Sequence, residues 1–221
     1  MNFASSLQPH RDIVPTCFLV MGQPRSGTSA VAGILHHLGI PMGERIVDPR
    51  EPDRWDFPEA DEWNPRGYFQ DAAFMNLEDA EFGRWAPPDN WIPSARFVDA
   101  LGNSVELRQS RGGDWGLKSN RLQFYLTEFR RVCADTVKII VTRREMERSL
   151  ASWVARGGGS HGEAFIRMAS AKLFSVSADL CLHYDHLFDR TEETVSRIAA
   201  FVGRDVTQAA MAHIVPNLRR H

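Results

Sequence analysis

The sequence is short of cysteine, of long apolar runs and of excess charge. Its three cysteines are Cys17, Cys133 and Cys181. They are odd in number and far apart, and each sits in an apolar stretch. That spacing excludes a disulfide framework and a cysteine zinc site. Buried reduced thiols are the expectation. No apolar run approaches the roughly 20 residues of a membrane-spanning helix. Residues 1–16 have no apolar segment behind a basic start, so they do not read as a secretory signal. The chain is therefore expected in the cytoplasm. Lys plus Arg is 26 and Asp plus Glu is 28, a formal net charge of −2. That balance argues against nucleic acid as a partner held by a general basic surface. No internal repeat and no low-complexity tract is visible.

What is present reads as one α/β domain. The 221 residues are 43% hydrophobic and 24% charged, an ordinary soluble composition. Charge is unevenly distributed. Residues 44–89 hold 13 acids against 5 bases, and residues 108–156 hold 11 bases against 5 acids. An anionic ligand would suit the basic part. Residues 16–21 form a short apolar run that ends at Gly22, the pattern of a buried parallel strand. Val31, Ile34, Leu35 and Leu38 then recur at helical spacing up to Gly39, a C-terminal stop. Further strands are expected at 115–118, 137–142 and 180–184. Helices are expected at 71–82, 121–132, 145–154, 161–174 and 192–202, and after Asp205. Strands alternating with helices predict a central, mainly parallel sheet flanked by helices. Residues 40–69 lack sustained periodicity, and about 40–110 reads as a loop- and tryptophan-rich insertion. Trp55, Trp63, Trp85 and Trp91 all fall in it, where they would line an apolar ligand pocket or cement a loop-rich unit.

The segment Gly22-Gln-Pro-Arg-Ser-Gly-Thr-Ser29 joins the first strand to its helix. Glycines allow a tight turn, and N–H groups at a helix start favour a phosphate or sulfate. The two glycines match the nucleotide-hydrolase pattern G-x-x-x-x-G-K-[ST], but Thr28 stands where that pattern has lysine. The phosphate-clamping lysine is missing, which disfavours ATP or GTP hydrolysis. A positive charge is instead carried by Arg25 inside the loop.

Gln23-Pro-Arg-Ser-Gly-Thr-Ser29 resembles the 5′-phosphosulfate loop of sulfotransferases that use 3′-phosphoadenosine 5′-phosphosulfate (PAPS), in particular the bacterial branch. Residues 138–152 are similar to the family's 3′-phosphate motif, in which an arginine at a strand end is followed by a serine eight residues later. Arg144 and Ser152 have that interval; Arg143 with Ser149 is the competing choice. Trp115-Gly-Leu-Lys-Ser-Asn-Arg121, Asn64-Pro-Arg-Gly-Tyr-Phe-Gln70 and Tyr184-Asp-His-Leu-Phe188 resemble further segments of the same family. The resemblance runs from about Phe18 to the C-terminus.

It implies a three-layer P-loop fold and transfer of a sulfuryl group from PAPS to a hydroxyl or amine, without a metal. The acceptor would be a small molecule, a carbohydrate or a lipid. The implied donor site is Pro24, Arg25, Ser26, Gly27, Thr28 and Ser29, with Arg144 and Ser152 on the 3′-phosphate. Arg25 and Lys118 would stabilise the transferring group. The family's cytosolic branch takes its general base from a histidine where this chain has Asn120, and an amide cannot accept a proton. Glu44 and Asp71 are the candidate bases, ahead of His36 and His37. Gln70 stands where the bacterial motif has glutamate. Arg219 and Arg220 could close over the nucleotide, although a frayed tail is the blander account. A P-loop kinase or hydrolase, and a non-catalytic nucleotide-binding relative, are the alternatives.

Overall fold

The computed structural model describes residues 14–43, 69–83, 87 and 91–214. The sheet is built from β1 (Thr16–Gly22), β2 (Trp115–Lys118), β3 (Thr136–Arg143) and β4 (Leu180–His183). Their order is β2-β1-β3-β4 and every pairing is parallel. β1 lies inside the sheet, with Leu19 opposite both Leu117 and Ile139. A strand buried on both faces needs apolar residues without alternation, which is why residues 17–21 contain no polar side chain.

Helices cover both faces. Phe18 and Val20 pack with α1 (Thr28–His37), α7 (His186–Asp189), α8 (Thr191–Val202) and α9 (Gln208–His213). Cys17, Leu19 and Met21 point the other way. They meet α2 (Ala72–Phe82), α3 (Ala95–Gln109), α4 (Leu126–Val132) and Leu173 of α6 (Ser160–Leu173). α5 (Met146–Val154) follows β3 directly. The result is the expected three-layer α/β arrangement, with a sheet that among the described residues is wholly rather than mainly parallel.

Three local expectations need correction. The stretch treated as loop-rich contains α3, a helix of 15 residues. Phe97, Leu101 and Val105 bury one face at four-residue spacing, and Ser94 Oγ caps the helix by accepting from the Phe97 N–H at 3.1 Å. Gly102, Asn103 and Ser104 in its middle are weak helix formers and obscure the period. The helix expected over 121–132 is a 3-10 turn at Leu122–Phe124 followed by the shorter α4. Cys181 is exposed, whereas Cys17 and Cys133 are buried. It lies on β4, at the sheet edge, where one face is less covered.

Because every strand is parallel, the C-terminal ends of β1, β2 and β3 open on the same side. Residues 22–29, 118–121 and 143–152 leave the sheet there. In open parallel sheets that edge is where ligands bind.

Candidate functional site

The loop after β1 is tightly built. A Cβ at Gly22 would lie 2.4 Å from both Ser26 Oγ and Thr142 Oγ1, so the chain can fold over the strand end only with glycine there. The Ser26 hydroxyl donates to Gln23 O at 2.7 Å and hydrogen-bonds Thr142 Oγ1 at 2.9 Å. The Ser26 N–H also bonds Gln23 O, at 3.2 Å. Ser26 is therefore turned inward and holds the loop's shape. Pro24 is buried beside it.

Arg25 adopts a left-handed backbone, with φ 70°. That conformation is costly for a non-glycine residue and persists only where its surroundings hold it. Arg144 does so: its Nη1 donates to Arg25 O at 3.0 Å. Arg25 Nε in turn donates to Ser152 Oγ at 3.4 Å. The Arg144 guanidinium lies over the Tyr184 ring, 4.1 Å from its centroid, an attractive cation–π contact. Arg143 turns elsewhere, with its guanidinium 5.6 Å from the Phe174 ring centroid. Thus Arg25, Arg144 and Ser152 converge, and Arg143 does not join them.

Gln23 ties the same two segments together from the other side. Its Nε2 donates to Arg144 O at 2.7 Å and to Ser149 Oγ at 3.3 Å. The loop after β1 and the turn after β3 therefore brace each other.

α1 begins at Thr28, after Gly27 at φ 91°, and no side chain caps it. Asp71, Ser94 and Thr207 cap α2, α3 and α9, whereas α4 to α8, like α1, have no side-chain cap. The first N–H groups of a helix have no acceptor within it, and the helix dipole adds partial positive charge. No acid stands in the first turn of α1 to occupy that charge. Two arginines, an uncapped helix start and the hydroxyls of Thr28, Ser29 and Ser152 make a set suited to phosphate or sulfate oxygens.

The end of β2 adds a buried cation. Lys118 is 2% exposed and its Nζ contacts Gln70 Oε1 at 3.3 Å. A strand-end lysine reaching solvent is thereby excluded. Burial lowers its pKa to about 8, against an upward pull from Glu78. Asn120 follows, and its Oδ1 accepts from Thr28 Oγ1 at 3.1 Å. Lys118 and Asn120 thus leave β2 alongside the start of α1.

Of the expected bases, Glu44 lies outside the described residues. Asp71 is 1% exposed and committed to structure. One oxygen accepts from the Ala73 N–H at 2.8 Å and caps α2; the other pairs with Arg108. His36 and His37 close the far end of α1, about 12–14 Å along the helix from its start by helical rise. There they contact Phe69, and His37 also contacts His213. Trp55, Trp63, Trp85, Arg219 and Arg220 are also outside the described residues. Trp91 packs on Phe82 and Phe97 and donates Nε1 to Glu81 at 3.2 Å, so it cements α2 to α3.

Sequence reasoning missed Glu78 and Gln23. Glu78 sits four residues after Phe74 on the buried face of α2 and is wholly buried. A carboxylate at a core position of a helix was the available signal. Gln23 offered none, since an amide inside a turn is unremarkable by itself.

No protein-family model matches the sequence, and no curated protein does. Solved structures are similar in fold. One is the sulfotransferase domain of the Synechococcus PCC 7002 olefin synthase, at 18% identity, with 94% of this chain and 80% of that chain covered and a TM-score of 0.52. Sulfotransferase STF9 from Mycobacterium avium gives 13% identity, 90% and 67% coverage and 0.51. A sugar kinase from Janibacter sp. HTCC2649 gives 13% identity, 89% and 98% coverage and 0.51. The fold is the P-loop fold shared by sulfotransferases and kinases. At these identities the likeness concerns the fold alone, and the chemistry must be argued from the site.

Proposed function

We propose that the chain is a sulfotransferase that moves a sulfuryl group from PAPS to a hydroxyl or amine of a small-molecule, carbohydrate or lipid acceptor. The observation that carries this reading is the convergence of Arg25, Arg144 and Ser152 beside the uncapped start of α1. A nucleotide carrying phosphate at both the 3′ and 5′ positions needs two anion sites set side by side. The N–H groups at the start of α1, with Thr28 and Ser29, would hold the 5′-phosphosulfate. Arg144 and Ser152 would hold the 3′-phosphate, with Arg25 between the two.

In the transfer, the acceptor oxygen or nitrogen forms a bond to sulfur. The bond from sulfur to the bridging phosphate oxygen breaks, and adenosine 3′,5′-bisphosphate leaves. Negative charge builds on the leaving oxygen and the sulfuryl oxygens. Fixed cations and N–H donors in a dry site stabilise such charge strongly. Arg25 and Lys118 supply those cations. The acceptor's proton is assigned to Glu44 in preference to Asp71, because both Asp71 oxygens are already engaged. Asn120 contributes position only.

A phosphoryl-transfer reading has the sugar-kinase likeness in its favour. Against it stand Thr28 in place of the phosphate-clamping lysine and the arginines at the end of β3, where a metal-holding aspartate is needed. Calorimetric titration with adenosine 3′,5′-bisphosphate, ADP and AMP separates the two. Tight binding of the bisphosphate alone is expected; preference for ADP would favour the kinase. A tight bisphosphate binder that consumes no PAPS across a broad acceptor panel would be a non-catalytic relative.

A further inference from the structure

Glu78 has no part in the chemistry assigned above, yet it is wholly buried within a polar network beside the site. Its Oε1 accepts from the Ser119 hydroxyl and from the Tyr125 hydroxyl, each at 2.6 Å. Its Oε2 lies 3.6 Å from Arg121 Nη1, and that guanidinium also pairs with Asp79. Ser119 Oγ accepts from the Arg121 N–H at 3.0 Å, so its own proton is directed at Glu78. Two hydroxyl donors at 2.6 Å with a cation opposite are the surroundings of an ionised carboxylate, for which such bonds run about 2.5–2.7 Å. Burial, with a smaller push from Asp79, leaves the Glu78 pKa raised overall, while Arg121, Ser119 and Tyr125 pull against it.

The network grips the segment that carries Lys118. Ser119 and Arg121, both held by Glu78, follow Lys118 directly at the end of β2. Gln70, which touches Lys118 Nζ, brings no charge. The charged and titratable groups that this network brings to the segment are Glu78 and Asp79 on α2, Arg121 after β2 and Tyr125 before α4. On β1, Lys118 is paired with Val20, which is apolar.

We infer that Glu78 is a positioning residue for the transfer step: through Ser119 and Arg121 it fixes the turn after β2, and its negative charge keeps the Lys118 ammonium at the dry end of the sheet. The role in transfer rests on the sulfotransferase reading; the Glu78–Lys118 coupling does not.

The test follows the titration of the Lys118 ammonium by nuclear magnetic resonance in the full chain, with and without Glu78→Gln. Removing the buried negative charge that pulls the Lys118 pKa upward should lower the midpoint by about one unit. Adding Gln70→Glu to that variant should raise it again, because a charge is returned to Lys118 from another element. A purely structural role for Glu78 would leave the first midpoint in place, and the Gln70→Glu arm then shows only that a carboxylate can move Lys118. A folded Glu78→Gln protein whose Lys118 titrates at the wild-type midpoint overturns the inference. Should Glu78→Gln not fold, the reciprocal arm decides: Lys118→Met must raise the midpoint of Glu78, and an unmoved Glu78 overturns the coupling. Titration with adenosine 3′,5′-bisphosphate is run separately on the wild type. Its failure would remove the donor reading and leave the coupling result standing.

Discussion

The side chain of Arg144 holds the backbone of Arg25: its Nη1 donates to the Arg25 carbonyl at 3.0 Å. The residue proposed to read the 3′-phosphate therefore also supports the strained residue of the 5′ loop. Arg144→Ala should weaken binding of adenosine 3′,5′-bisphosphate by about tenfold or more, since a hydrogen bond to a charged group is worth about 1.5–3 kcal/mol. AMP should also lose affinity, by a smaller factor, because Arg25 loses its brace. Calorimetry with both ligands measures the ratio. Equal losses would mean that Arg144 only braces the loop and makes no contact with a 3′-phosphate.

Gln23 tests the brace without touching either phosphate. Gln23→Ala removes the donor to Arg144 O and Ser149 Oγ, two buried hydrogen bonds. A loss of about 1–3 kcal/mol is expected in urea unfolding. Bisphosphate and AMP should weaken by the same factor, because the change loosens both halves of the site together. An unchanged urea midpoint would show that the two segments do not depend on this bridge.

Much of this site was legible in the sequence because it follows strand ends. The uninterrupted run at 17–21, Gly22 and Gly27 fixed where the loop had to lie, and the interval from Arg144 to Ser152 brought the second segment to it. What could not be read was the partner of each polar side chain. Asp71 looked like a free carboxylate beside a motif, but its role is decided by Arg108, 37 positions away on another helix. Glu78 looked like one acid among the 13 of residues 44–89. Only the packing of α2 against the end of β2 makes it a buried charge. Helix α3 was missed for a local reason, since Gly102, Asn103 and Ser104 interrupt a period that tertiary packing restores through Phe97, Leu101 and Val105.

Lys118 gives a prediction in pH. Its pKa is about 8 in the folded chain against the usual 10.5. Between those values the unfolded chain keeps the proton and the folded chain has released it. Stability rises with pH wherever the unfolded state binds more protons. The wild type should therefore gain stability relative to Lys118→Met as pH rises from about 8 towards 10.5, and the difference should be flat below about 7. Transfer should move the other way, because the positive charge is lost through the same range. Urea unfolding across pH checks the first limb and the pH–rate profile the second. A flat stability difference from pH 8 to 10 would show that Lys118 is not desolvated as the structure has it.

Asp71 separates a structural carboxylate from a catalytic one. Asparagine caps a helix about as well as aspartate, so Asp71→Asn retains the cap on α2 and removes only the charge facing Arg108. Arg108, whose side chain is 9% exposed, then faces a neutral amide, and breaking a largely buried ion pair typically costs about 3–5 kcal/mol. Arg108→Met should cost a similar amount by stranding Asp71. The double variant should be more stable than the sum of the single losses predicts, since no charge is left behind. Folded Asp71→Asn, held at low temperature and without urea, should bind adenosine 3′,5′-bisphosphate as tightly as the wild type and retain its rate constant for transfer. A variant with unaltered stability and abolished transfer would return Asp71 to the role of general base and take it from Glu44.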